Sequence, residues 1–238
     1  MVQQAAYQSL LRGGELQARV RQAYQRLASC DICPRRCGVN RRAGERGACH
    51  TGELARVASF HAHYGEEAPL VGRRGSGTLF FSWCNLQCQY CQNSELSQAG
   101  EGDEVEPDDL AAMMLSLQDA GCHNINFVSP SHVAPQILAA VLIAAQAGLH
   151  VPLVYNTGGY DALSTLSLLD GVFDIYMPDM KYADEPTARR LSGVADYPAA
   201  NEDEALAIAR DIARLHGGEI TLSQSPLGGL RAHVRLPL

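Results

Sequence analysis

The chain has 238 residues, of which 46% are hydrophobic and 19% charged, enough globular material for one sizeable domain or one domain with appendages. A net charge of −7 with 19 Lys and Arg disfavours a general grip on nucleic acid, because phosphate binding needs a clustered cationic excess. The longest apolar run, Ile137–Ala145, falls well short of the roughly 20 residues of a membrane span, so neither a nucleic-acid nor a membrane partner is expected.

The opening "MVQQAAYQSLLRGGE" has no basic region followed by an apolar core, so a secretory signal is not expected. Grouped cysteines in such a chain point to the cytoplasm and to metal ligands, since disulfides do not persist in a reducing compartment. Residues 3–28 read as one amphipathic helix with Leu10, Leu11, Leu16, Val20 and Leu27 on its apolar side. A Cys/Gly/Arg-rich loop follows, "CDICPRRCGVNRRAGERGACH" (Cys30–His50). "TLFFSW" from Thr78 is a short apolar run, read as a buried strand. Pro107–Gly121 begins with Pro and two Asp and ends in Gly, the marks of a helix. Three further strands (Asn124–Val128, Val151–Asn156, Phe173–Asp179) alternate with helices over Pro135–Gly148, Asp161–Gly171 and Glu185–Gly193. Strands alternating with helices predict a parallel sheet built from crossover units. Four such units make a partial barrel, in which Cys84, Ser129, Asn156 and Asp179 fall at the C-terminal strand ends on one rim.

"SWCNLQCQYCQN" places Cys84, Cys88 and Cys91 in the loop after the first strand. Three thiolates leave one iron of an iron–sulfur cube open to a substrate or cofactor. The competing reading is a zinc knuckle that takes its fourth ligand from elsewhere, such as Cys122 or His123. Cys30, Cys33, Cys37 and Cys49 supply four ligands in a segment poor in apolar residues, and both zinc and an auxiliary iron–sulfur cluster are compatible with them. Arg35, Arg36, Arg41, Arg42 and Arg46 are read as a solvated face, and Cys122 and His123 as packing residues.

"CNLQCQYC", with an aromatic before its last cysteine, resembles the signature of the radical S-adenosylmethionine (SAM) superfamily. With "GSGTLFFSW" before it and "QN" after it, it is most similar to proteins of the pyruvate formate-lyase activating type, a likeness running from about Cys30 to Pro198. The resemblance implies a [4Fe–4S] cluster on Cys84, Cys88 and Cys91, SAM on the open iron, and Tyr90 against the adenine. It also implies an electron donor such as flavodoxin or ferredoxin and, as substrate, a glycyl-radical protein. "VYNTGGYD" and "YMPDMKY" resemble the third- and fourth-strand segments of glycyl-radical activases, which puts Asn156, Thr157, the Met177 carbonyl and Asp179 near a cation and Lys181 near SAM. Asn156 stands where better-known relatives carry an acid. "VSPSHV" occupies the place of the family's glycine-rich segment, leaving Ser129, Ser131 and His132 as the polar candidates there.

Ala205–Leu238 reads as a helix, a Gly pair and two strands around a Pro/Gly turn, and resembles the end of a sensor histidine kinase ATPase domain without its nucleotide-binding boxes. The expected architecture is α/β. An N-terminal helix and four-cysteine segment (1–75) precede a truncated partial (β/α) barrel with parallel strands (76–199), and a foreign-looking helix and β-hairpin follow (200–238). The expected function is a radical SAM enzyme; the alternative is a metal-stapled binding or electron-transfer module that is inactive through truncation.

Overall fold

The computed structural model describes residues 4–224, 226 and 230–237. The expected N-terminal helix is two helices, α1 (Tyr7–Arg12) and α2 (Glu15–Gln25). Gly13–Gly14 separates them, and Gly14 takes φ 71°, which an L side chain adopts only at a cost. The apolar positions still serve as the periodicity requires, with Leu16 and Ala23 buried. The helices lie against the N-terminal ends of the parallel strands: Tyr7 Oη donates to Val151 O at 3.1 Å and Ala6 N to Asp174 Oδ1 at 2.9 Å. A 3₁₀ turn at Arg26–Ser29 leads into the four-cysteine segment, whose one helical piece is a second 3₁₀ turn at Arg41–Ala43.

A six-stranded sheet follows. In chain order its strands and helices are β1 (Ala55–His63), α3 (Ala68–Val71), β2 (Ser76–Phe81), α4 (Ser94–Ser97), β3 (Asp103–Val105), α5 (Pro107–Asp119), β4 (Ile125–Val128), α6 (Ala134–Gln146), β5 (Leu153–Thr157), α7 (Leu163–Leu169) and β6 (Ile175–Pro178). The strand order is β3-β1-β2-β4-β5-β6. The last four strands are parallel, as the alternation of elements predicts, and form the mostly parallel sheet of a partial barrel. β1 and β3 extend it in the antiparallel sense. The sequence reading lacked both, because β1 carries a bulge between Val57 and Ser59 and exposes Ser59–His61, which blurs its alternation. α5 opens with a capping box, the Glu106 and Asp109 side chains each accepting from the other's backbone N–H. α5 and α6 bury Leu110, Met114, Ile137 and Val141 in the same core as Leu79, Ile125, Phe127 and Tyr155 of the strands.

α8 (Glu185–Ser192) is capped by the Asp184 carboxylate, which accepts from Thr187 N at 2.9 Å. α9 (Tyr197–Leu215) then runs unbroken across residues 199–204, where the sequence change lies. Its first turns are anchored to the sheet's loops: Asn201 Nδ2 donates to Asp179 O at 2.8 Å and to Gly159 O at 3.0 Å. β7 (Glu219–Gln224) and β8 (Leu230–Arg235) form a separate antiparallel pair, so β6 remains the edge of the large sheet among the described residues. The Pro/Gly turn expected between them falls largely on residues 225 and 227–229, outside the described residues.

Candidate functional site

The strand register sets the site. Phe80, Val128, Asn156 and Met177 stand in one row across β2, β4, β5 and β6, Val128 ending its strand and the other three one residue before theirs, at the C-terminal rim. A cavity of about 650 Å³ opens there, of a size that suits a cofactor-sized molecule. Cys84, Cys88, Tyr90, Cys91, Ser129, Asn156, Thr157, Asp179 and Lys181 all line it. His63 and Glu66, 3.2 Å apart, reach it from β1 and the turn after it, and Gln92 and Asn93 reach it from the cysteine loop. These four were missed: the β1 pair because that strand was not read, the other two because a polar residue beside a motif carries no signal of direction.

The cysteine loop is tied down on several sides. Trp83 N donates to Leu96 O at 2.9 Å, Gln89 N to Leu191 O at 2.9 Å, and Asn85 Nδ2 to Tyr160 O at 2.6 Å. Leu86 N lies 3.4 Å from Cys84 Sγ, Ser192 Oγ 2.9 Å from Cys88 Sγ, and Ser97 Oγ 3.2 Å from Cys91 Sγ. Every sulfur therefore has a polar neighbour of the kind that tunes a metal-bound thiolate. Burial, and then the neighbouring thiols Cys88 and Cys91, push Cys84 up to about 12, so a cationic centre is what would keep it deprotonated. Among the described residues no three Cys, His, Asp or Glu side chains are grouped tightly enough for one metal ion. A cube instead spreads three cysteines over three irons, and the donor set fits that group.

On the opposite side of the rim, Lys181 Nζ lies 2.5 Å from Asp179 Oδ2. Burial disfavours its charge, but the Asp179 carboxylate outweighs this and holds Lys181 above its ordinary value. Thr157 lines the cavity while its hydroxyl is committed to Asp161, which also accepts from Tyr155 Oη at 2.6 Å and Ser131 Oγ at 3.0 Å. Glu204 of α9 accepts from Asp161 N at 3.0 Å, so two carboxyl groups share one buried network behind the rim. Burial and Asp161 push Glu204 up to about 10.

His132 does not join this cavity. Its ring is 1% exposed, Nε2 lies 3.1 Å from Ser82 O, and burial together with the Arg41 guanidinium pushes it down to about 3, so it is neutral. It lines a second, tight cavity with Cys30, Cys33, Cys37, Cys49 and Arg41. The four N-terminal thiols thus line one cavity, where burial pushes Cys33 up to about 12, but as placed no three of them are grouped tightly enough for one metal ion. The solvated arginine face needs correcting at two of its five members. Arg36, Arg42 and Arg46 are exposed, but Arg41 is 1% exposed, and Arg35 is half-buried with Nε donating to Asn85 O at 2.8 Å. Cys122 and His123 line neither cavity.

Residues 78–214 match the family described as the Radical SAM superfamily. The chain is similar to an uncharacterized protein of Methanocaldococcus jannaschii, with 32% identity over 71% of this chain and 50% of that protein, and so spans about half the length of that relative. It is also similar to the sensor protein kinase CarS of Pseudomonas aeruginosa, with 44% identity over 26% of this chain and 13% of the kinase. No helix of the described residues is long and apolar enough to cross a membrane.

Proposed function

This chain belongs to the radical SAM superfamily, and on that premise we propose that it cleaves SAM reductively in the rim cavity and abstracts hydrogen from a substrate. The observation that carries this reading is the convergence of Cys84, Cys88 and Cys91 with Tyr90, Asn156, Asp179 and Lys181 on one cavity. When bound, the [4Fe–4S] cluster supplies the electron that splits SAM into methionine and a 5′-deoxyadenosyl radical. In this reading Cys84, Cys88 and Cys91 hold the cluster and leave one coordination position for the methionine end of SAM. Tyr90, half exposed at the cavity wall, offers its ring to the adenine, and Lys181 offers a cation to the carboxylate end. Ser129, Asn156, Thr157 and Asp179 add to the polar lining, along with His63, Glu66, Gln92 and Asn93. The superfamily's chemistry needs one electron per turnover, so a flavodoxin or ferredoxin type of donor in the cytoplasm belongs to the proposal.

The likeness to activating enzymes extends the proposal to a glycine of a partner protein as substrate. Cys30, Cys33, Cys37 and Cys49 take a second metal, zinc or an auxiliary iron–sulfur cluster. The division at residues 75 and 199, with a kinase-like but non-kinase tail, is part of the same reading. Anaerobic incubation of the reconstituted chain with dithionite and SAM tests it. The expected result is 5′-deoxyadenosine, with a cluster spectrum perturbed by SAM. A cluster whose spectrum ignores SAM, with no 5′-deoxyadenosine formed, would instead favour an electron-transfer or binding module.

A further inference from the structure

We propose that Arg35, Arg36, Arg189 and Arg190 form the docking face for a small acidic protein that carries one electron, beside Cys88 and on the side of the cysteine loop turned away from the rim cavity. The inference rests on the radical SAM reading of that cavity, whose chemistry consumes one electron per turnover.

Charge supplies the first argument. Arg36, Arg189 and Arg190 are exposed and Arg35 is half-buried, and among the described residues none of the four pairs with a carboxylate. Arg42 and Arg46, further along the same N-terminal segment, are instead paired with Glu53 and Glu104. Nearby carboxylates are engaged elsewhere: Asp31 with Arg26, Asp184 with Thr187 N and Asp196 with Tyr160 Oη. Glu185, one turn before Arg189, offsets one of the four charges. On a chain of net charge −7 this cationic excess is local, so an acidic protein is repelled by the molecule as a whole and steered to this face.

The second argument is connectivity. Arg35 Nε donates to Asn85 O of the cysteine loop at 2.8 Å, and its Nη1 donates to Gly193 O, just past α8, at 3.1 Å. That brings Arg35 to the last turn of α8, where Arg189 and Arg190 stand. The cysteine loop lies along the same turn. Gln87 N donates to Ser192 O at 3.3 Å, Gln89 N to Leu191 O at 2.9 Å and Gln89 Nε2 to Arg190 O at 3.1 Å. Gln87 and Gln89 are exposed and uncharged and stay outside the rim cavity, whereas Cys88 and Tyr90 line it. Ser192 Oγ, 2.9 Å from Cys88 Sγ, joins the basic turn to a cysteine of the cluster site. The face therefore offers a partner a cationic rim, an uncharged centre and a one-residue path to Cys88, and leaves the cavity free for SAM. One electron leaves the carrier, which is oxidised by one equivalent, and is consumed in breaking the sulfonium C–S bond of SAM.

Binding and turnover are read separately. Oxidised flavodoxin, with a ferredoxin as second probe, is titrated by calorimetry into the full chain with its cluster reconstituted. Affinity should fall as ionic strength rises from about 0.02 M to about 0.2 M. The combined variant Arg36→Glu, Arg189→Glu, Arg190→Glu should bind roughly tenfold or more weakly. Arg12→Glu, Arg21→Glu, Arg73→Glu makes the same change of charge at exposed arginines outside the face, and should bind as the unaltered chain does. With dithionite, a small reductant that needs no docking face, the first variant should form 5′-deoxyadenosine at the unaltered rate. With reduced flavodoxin at low concentration it should be slower by the factor lost in binding. Equal loss in both variants, undiminished binding in the first, or an unaltered chain that binds neither carrier overturns the docking face. An unaltered chain that forms no 5′-deoxyadenosine with dithionite overturns the radical SAM reading itself, whatever the binding shows.

Discussion

Glu204 shows how a single side chain links stability to pH in this chain. Its Oε2 accepts from the Asp161 amide, its Oε1 has no partner among the described residues, and burial with the nearby Asp161 carboxyl pushes it up to about 10. In the unfolded chain the same carboxyl loses its proton near 4.5, so between these values the folded state binds more protons. Stability from this group is complete below about pH 4.5 and falls as pH rises towards 10. Melting temperature should therefore decline from about pH 5 to about pH 9, and Glu204→Gln, which keeps an acceptor without a titrating proton, should flatten the decline. An equally steep decline in Glu204→Gln would assign the pH dependence elsewhere. The cysteines make a sharper residue-scale prediction. Cys88→Ala should abolish the SAM-responsive cluster and 5′-deoxyadenosine formation, because three thiolates are the fewest the cube needs here. Cys33→Ala should lower metal content at the N-terminal site and leave the first cluster assembled. The reverse pattern in iron analysis and absorption spectra would exchange the two assignments.

At the scale of elements, the rim depends on how closely the β5–α7 and β6–α8 loops approach. Gly159 holds φ +71°, and a Cβ there would lie 2.1 Å from Asp179 O and 2.3 Å from Asn201 Nδ2. Tyr197 Oη fills the same junction, 2.9 Å from both Gly158 O and Lys181 N. Gly159→Ala meets both the positive φ and the clash, so it should destabilise the fold by more than ~1 kcal/mol. It should also displace Asp179 and Lys181 from the cavity. Chemical denaturation reads the first effect and SAM affinity the second; normal affinity in a destabilised variant would separate Lys181 from SAM binding. The helices of this layer were legible within a few residues, since α5, α6, α7 and α8 carry their own start and stop signals. α9 was not. Its first turns, "YPAANEDE", read as a change of composition, yet tertiary contacts to Asp161, Gly159 and Asp179 make them helix and bury Asn201 and Glu204.

For the whole molecule, α9 ties the C-terminal region to the site while the hairpin after it pairs only with itself among the described residues. A chain ending after His216 should keep the SAM-responsive cluster, whereas one ending before Tyr197 should lose it, because the bonds to Gly159 and Asp179 go with the helix. Anaerobic reconstitution of the two truncations, read by absorbance with and without SAM, checks this. Added ATP should leave the melting temperature of the full chain unchanged. A shift with ATP would return a nucleotide role to the tail.

The sequence by itself determined the α/β class, the four parallel strands and the three-cysteine loop at their rim. Those features are written in local periodicity, in Pro and Gly punctuation, and in a motif whose chemistry needs its spacing. Only the tertiary structure decided which polar residues face which cavity. His132 and Ser129 stand three positions apart in one loop, yet the first lies against Arg41 and the second lines the rim. The same packing turned Arg41 inward beneath four thiols and brought Glu204 to Asp161 across 43 residues of chain. Long-range contacts set these orientations, and nothing in the residues' own neighbourhoods encodes them.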